Sequence, residues 1–263
     1  MNPRDGLVTA IWVSIGAALA AFVAGLAGLY LQRLLPEPHT SDRSRDMISA
    51  IVGLVSLLLA LVLSIITGSA YNFYMNQKEE LETIAARALQ LDIALAEFGP
   101  EARQAREMLK AGMETMHNMF WGKAPMFDYD PSKLRPDMVI ANLTATDAAI
   151  AALNPQTPLQ KQAVATAATD AGLIKNTRLL IAMQLKSPIS WPLVTVVVIW
   201  SILLFCGFGL LSRMNATTVA ALGFGAFAVG SALFLILELS QPYTGLFRVP
   251  AAALEESLEE MGN

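Results

Sequence analysis

Apolar residues run without a single charge through positions 7–31, 47–75, 191–211 and 216–237, as two pairs separated by a long polar stretch patterned for helices. At about 1.5 Å of rise per residue, a helix of roughly 20 residues covers the hydrocarbon layer of a bilayer. Each run is long enough to do so, and the first two leave room for tilt. Buried helices of water-soluble cores seldom carry so many apolar residues without a charge. Arg4 and the triplet Ala18-Leu19-Ala20 are also features of a secretory leader. The first apolar run is too long for one, however, and continues past the triplet through Phe22 and Leu29, so a retained anchor is expected.

The second run does not end its apolar rhythm at the membrane. Leu81, Ile84, Ala88, Leu91, Leu95 and Phe98 follow in alternating steps of three and four, which is a heptad seam. No glycine or proline falls between Tyr71 and Phe98, so the second span is expected to leave the membrane as one helix of about 50 residues, ended by Gly99-Pro100. Pro100 and Glu101 suit the start of a new helix with Ala105, Met108, Leu109, Met113, Met116 and Phe120 on its buried face. Residues 121–136 read as a loop. Its Asp128-Tyr129-Asp130-Pro131 run lacks the spacing and glycine of a calcium loop. A third helix is expected over 137–153, with Val139, Leu143, Ile150 and Leu153 on one side. Thr157, Pro158 and Gln160 combine a capping box with proline at the first helical position, which starts a fourth helix carrying Val164, Ala168, Ala171, Ile174, Ile181 and Leu185. Four amphipathic helices with short connections predict an antiparallel bundle outside the membrane.

Beyond the last span, Pro242 and Gly245 turn the chain toward Phe247, Arg248 and a short helix with Leu254 and Leu258, whose Glu255, Glu256, Glu259 and Glu260 form a solvated face. Trp191, Tyr71, Phe73 and Tyr74 stand where interfacial aromatic belts form. Near the span ends, Arg4, Lys78, Arg87, Arg178, Lys186 and Arg248 fall on the bundle side and Arg33, Arg43, Arg45 and Arg213 on the other. The balance leans toward a cytoplasmic bundle.

Charged residues make up only 15% of the chain and its mean hydropathy is positive, in keeping with a membrane protein. A net charge of −4 argues against a nucleic-acid partner. The single cysteine, Cys206, lies inside the third span, so no intrachain disulfide forms. His39 and His117 belong to different segments, no serine sits in a nucleophile elbow, and Gly223-Phe224-Gly225 opens a span and not a strand-to-helix turn. The inventory supports no enzyme, cofactor or metal site.

Candidate chemistry concentrates in the spans. Ser49, Gly53, Ser56, Ala60, Ser64, Thr67 and Tyr71 recur at helical spacing along the second span as a stripe of small or hydroxyl-bearing side chains. Two readings are open: close helix packing, which small residues permit in lipid, or the lining of a water path in which hydroxyls replace part of an ion's hydration. Ser14, Ala18, Ala21, Gly25 and Gly28 in the first span, and Ala221, Gly225, Ala228 and Ala232 in the fourth, read as packing seams. No span holds a central ionisable residue, which disfavours a proton relay. Glu238 directly follows the last apolar run and reads as a structural hydrogen-bond acceptor or as a carboxylate that draws cations.

Three features together resemble the bestrophin-like domain proteins of bacteria. The first is Gly53-Leu54-Val55-Ser56-Leu57-Leu58-Leu59-Ala60 leading into an acidic helix, and the second is Arg178 ahead of the third span. The third is Glu238-Leu239-Ser240-Gln241-Pro242-Tyr243-Thr244-Gly245-Leu246, similar to that family's Glu-x-x-x-Pro-Phe-x-Gly signature with Tyr243 in place of phenylalanine. The resemblance covers nearly the whole chain. Bestrophins proper are pentameric ion channels with four spans per subunit, the second lining the pore, and a cytoplasmic helical region between spans two and three. Their aromatic pore neck and acidic calcium clasp find no match here. The resemblance implies a homo-oligomer, with a pentamer favoured, in contact with lipid and with inorganic ions if it conducts.

The expected architecture is therefore an all-α membrane protein. It has a first helix pair over 1–75, a helical bundle over 76–190, a second pair over 191–237, and a turn with an acidic helix over 238–263. The expected setting is a bacterial inner membrane with both termini and the bundle in the cytoplasm. An ion channel lined by the second span is the first reading of function. A membrane-anchored sensor or scaffold without conduction is the other.

Overall fold

A computed structural model describes residues 3–34, 42–122, 136–185 and 190–261. The described residues are 88% helical and contain no strand. The helices are α1 (Pro3–Leu34), α2 (Asp42–Phe98), α3 (Arg103–Trp121), α4 (Pro136–Ala151), α5 (Pro158–Gln184), α6 (Trp191–Leu211), α7 (Ala216–Leu239) and α8 (Ala252–Glu260), with one turn of 3-10 helix over Pro100–Ala102 ahead of α3. Four are long and apolar enough to cross a membrane. Only 17% to 39% of the residues in their most apolar windows are buried within the chain, so most of that surface has no partner but lipid or another copy. The expected Asp128–Pro131 run and the side chains of Val139 and Leu143 lie outside the described residues.

The helices divide into two units, Asp5–Phe73 with Ile189–Ser240, and Tyr74–Pro188 with Gln241–Asn263 and the first four residues. The unbroken helix α2 contributes to both, as the uninterrupted apolar rhythm predicts.

In the membrane unit, glycines set the packing. Gly25 faces Leu222 of α7, and Gly28 of α1 meets the α6 backbone at Cys206 and Gly209. Gly230 of α7 receives Ala18 and the Ser14 carbonyl, and Gly207 of α6 receives Val52 of α2. Of the expected α1 seam, Ser14, Ala21, Gly25 and Gly28 are buried and Ala18 is half-buried. The α7 seam is not the expected one. Ala221 and Ala228 are exposed, and the buried face is Leu222, Ala226, Gly230 and Leu233. Large residues here fit against small ones on the neighbouring helix, so a rule that counts only small residues selects the wrong face. At one end of the unit the Arg45 guanidinium donates to the Leu211 carbonyl at 2.9 Å, a cation on the negative end of α6.

In the helical unit, Leu81, Ile84, Ala88, Leu91, Leu95 and Phe98 of α2 are all buried, which is the heptad seam read from the sequence. Gly99, at φ +118, turns the chain out of α2 through a conformation that L side chains rarely adopt. The capping box of α5 forms: Gln160 N donates to Thr157 Oγ1 at 3.1 Å, and Gln160 Oε1 accepts from Thr157 N at 3.3 Å. Gln160 Nε2 also donates to the Phe98 carbonyl at 3.1 Å, which ties the start of α5 to the end of α2. Ion pairs fasten the remaining contacts: Arg106 to Asp92 through two bonds of 2.7 Å, Arg87 to Asp170 at 3.0 Å, and Lys175 to Asp147 at 3.1 Å.

The buried stripe of α5 departs from expectation in its first half. Ala163 and Ala167 are buried where Val164 and Ala168 were expected. The true stripe continues through Asp170, Ile174 and Arg178, and those two charged positions hide its phase from a hydrophobicity count.

Candidate functional site

Within the membrane unit, α2 packs through Val52, Leu59, Ile66 and Ala70. The Ser49, Gly53, Ser56, Ala60, Ser64, Thr67, Tyr71 stripe lies roughly a quarter turn around the helix from that face. Ser49, Gly53, Ala60, Ser64 and Tyr71 are exposed, Ser56 and Thr67 half-buried, and nothing lies within 4 Å of a β-carbon built on Gly53. The hydroxyls of Ser56 and Thr67 donate to the carbonyls of Val52 and Leu63, each at 2.8 Å. Their protons are spent on the helix itself, while their oxygen lone pairs remain directed outward as acceptors.

The C-terminal signature falls at a boundary. Glu238 closes the membrane unit near the end of α7, with none of its surface exposed. Gln241, Pro242, Tyr243 and Gly245 belong to the helical unit. There Pro242 and Val249 close a turn, Val249 N donating to the Pro242 carbonyl at 2.8 Å, and Gly245 N bonds back to Gln241. This turn is a strap held onto α3. Tyr243 stacks on Phe120 with ring centroids 4.3 Å apart and meets Trp121 edge-on at 5.8 Å. Trp121 Nε1 donates to the Val249 carbonyl at 3.1 Å, and Arg248 bridges the Tyr243 and Phe120 carbonyls. Trp121 was expected in a loop; the strap's hold on its indole keeps it in the last turn of α3. His117 extends the contact to α8 by pairing with Glu255 at 3.1 Å.

Beneath the strap lies a polar network. The Tyr243 hydroxyl, on a ring only 2% exposed, donates to Gln77 Oε1 at 3.3 Å. The Gln77 amide donates to Gln184 Oε1 and to Glu80 Oε2, and Gln184 Nε2 donates to Glu80 Oε1 at 2.9 Å. Burial raises the Glu80 pKa above the usual 4.5, against the opposing bond from Gln184. Burial also raises the Tyr243 phenol, and the negative charge of Glu80 adds to the rise. The network thus joins α2, α5 and the strap.

The sequence singled out Tyr243 but not Gln77, Glu80 or Gln184. A signal for Gln77 was present: it lies one step of four ahead of Leu81, on the backward extension of the heptad seam. Nothing comparable marked Gln184.

Arg178 is buried in the helical unit at 7% exposure. Its Nη2 approaches the Gly112 carbonyl at 3.4 Å and Met113 Sδ at 3.2 Å, and its Nε has no partner. Burial lowers its pKa to about 10.

Four lipid-length helices, a membrane helix that continues into a soluble bundle, and a C-terminal strap locked over that bundle define a four-span helical membrane protein. A family model described as the bestrophin-like domain matches residues 19–254, and the chain belongs to that family. Its fold is that of solved bacterial bestrophin homologues. A single-substitution variant of one from Klebsiella pneumoniae aligns over 97% of this chain and 99% of its own, with a TM-score of 0.68 at 15% identity. A second variant from that organism gives 0.66 at 14% identity, covering 95% of this chain and 99% of its own. A structure described as a membrane protein variant gives 0.68 at 14% identity, over 94% of this chain and 97% of its own. No curated protein matches the sequence.

Proposed function

We propose that copies of this chain assemble around an axis in a bacterial inner membrane, with the small, hydroxyl-bearing face of α2 lining a path for inorganic ions. The observation that carries this reading is the uncovered stripe from Ser49 to Tyr71, set apart from the Val52, Leu59, Ile66, Ala70 face that packs within the chain. Lipid gives such a face no reward, whereas water or a second copy does. Ser56, Ser64 and Thr67 offer oxygen acceptors, Tyr71 narrows the path, and the Glu238 carboxylate tunes or braces its base. Five copies is the number favoured by resemblance to bestrophins proper. The helical unit and both termini lie in the cytoplasm on this reading.

The test is accessibility. After Cys206→Ser, single cysteines at Ser64 and Gly53 should react with a small hydrophilic thiol reagent in the assembled protein, while one at the packed Val52 should not. Protection of both stripe positions would overturn the water-lined reading.

A second reading as a non-conducting sensor or scaffold draws support from one feature. A groove of about 530 Å³ between α2 and α5 is lined by Arg87, Gln90, Ile93, Glu97, Thr169 and Asp170. Its lining mixes charged, amide, hydroxyl and apolar side chains, which suits a ligand or peptide.

A further inference from the structure

Helix α5 has a second regular face besides the one buried in the bundle. Leu159, Thr166, Leu173 and Leu180 stand seven residues apart, and Gln162, Thr169, Asn176 and Met183 follow them three positions on; all eight are exposed. This is another heptad seam, turned outward. Its large apolar side chains are 39% to 61% exposed. No charge stands on it. Of the four charged residues of α5, Asp170 and Arg178 are buried, Lys175 pairs with Asp147, and Lys161 lies to one side. Faces of this unit that meet water are decorated differently: α3 exposes Arg103, Glu107 and Glu114, and α8 exposes Glu255, Glu256 and Glu259. Depletion of charge along a regular seam belongs to a surface that another helix covers.

The chain's own undescribed residues do not reach the whole seam. The longest such stretch, 123–135, leaves α3 just after Trp121, which Tyr243, Gln77 and Gln184 hold beside the last turn of α5. It must return to α4, which Lys175 bonds to that same half of α5. Fully extended, it reaches out and back by at most about 24 Å, whereas Leu159 lies about 37 Å from Gln184 along the helix and Thr166 about 27 Å. The area narrows the choice further. A strip about 10 Å wide along about 40 Å of helix presents about 400 Å², roughly half of what each partner gives to a stable interface. That is too little to hold a separate protein in a stable complex, but enough to extend a contact that exists elsewhere. Beside the seam, α2 forms the other wall of a shared groove through Gln90 and Ile93, and α2 runs unbroken from the membrane unit. Copies that meet along its membrane stripe are thereby carried next to one another here.

We propose that the outward seam of α5 is a contact between neighbouring copies of this chain, packed against a helix of the next copy's helical unit. The inference rests on the reading that copies assemble, and not on whether the assembly conducts ions.

Light scattering of the purified full chain in detergent, over a dilution series, tests it. Leu173→Glu combined with Leu180→Glu puts two carboxylates on the seam at positions exposed in the single chain, and circular dichroism checks that the helices remain. The pair should raise the concentration at which the assembly dissociates at least about 10-fold. Ala168→Glu, exposed on α5 but off the seam, should leave it unchanged. A double variant that assembles as tightly as wild type would overturn the proposal and leave the assembly itself standing. A wild-type chain that is monomeric at every concentration would overturn both. After Cys206→Ser, a cysteine at Thr166, beyond the reach of residues 123–135, should be shielded from a hydrophilic thiol reagent in the assembly and react once it dissociates. Free reaction in the intact assembly would also overturn the proposal.

Discussion

A β-carbon added to Gly28 of α1 would stand 3.1 Å from the Gly209 α-carbon of α6 and closer still to the Cys206 carbonyl. The two helices touch backbone to backbone, and neither side can yield by turning a side chain. Gly28→Ala or Gly209→Ala should therefore destabilise the membrane unit by about 2 kcal/mol or more. Gly16, with nothing within 4 Å, should accept alanine at no cost. Thermal unfolding in detergent separates the two cases; equal tolerance at Gly28 and Gly16 would contradict the packing described.

Tyr243 holds the strap by a stacked ring and one hydroxyl. Tyr243→Phe keeps the stack on Phe120 and leaves the Gln77 carbonyl oxygen without that donor, a loss of about 1 kcal/mol. Tyr243→Ala removes the ring as well and should cost about 3–5 kcal/mol. Limited proteolysis should then cut first near the freed residues 241–251. A phenylalanine variant as damaged as the alanine one would show that the hydroxyl, and not the ring, secures the strap.

Glu80 gives the helical unit a pH dependence of definite sign. Its pKa is raised in the folded chain, so the folded state binds the proton more tightly than the unfolded state does. The stabilisation from that proton is complete below the unfolded value near 4.5 and is lost as pH rises through the higher folded value. Glu80→Gln, which mimics the protonated form, should flatten this dependence and raise the unfolding midpoint at neutral pH relative to wild type. Denaturation followed by circular dichroism at a series of pH values measures it. A midpoint that falls on Glu80→Gln at neutral pH would mean that the ionised carboxylate is the stabilising form.

How much of this was legible beforehand depended on whether one residue type carried the signal. The capping box at Thr157 and Gln160, the break at Gly99-Pro100 and the α2 seam each depend on local chemistry that a sequence displays directly, and all three formed. The α7 seam was misplaced because its burial depends on Leu222 meeting Gly25, a pairing between helices far apart in sequence. The start of the α5 stripe was misplaced because Asp170 and Arg178 stand on its inner face, where a polar residue counts against burial. Within the candidate site the signature located Tyr243, but its partners on α2 and α5 come from segments that only the folded chain brings together.

Ion flux measures the central claim most directly. Purified protein in liposomes should pass small inorganic ions, and replacing Ser64 or Thr67 by leucine should reduce the flux at least several-fold while the oligomer stays intact. Well-folded oligomers that carry no flux, or leucine variants that carry as much as wild type, would contradict a path along the small face of α2.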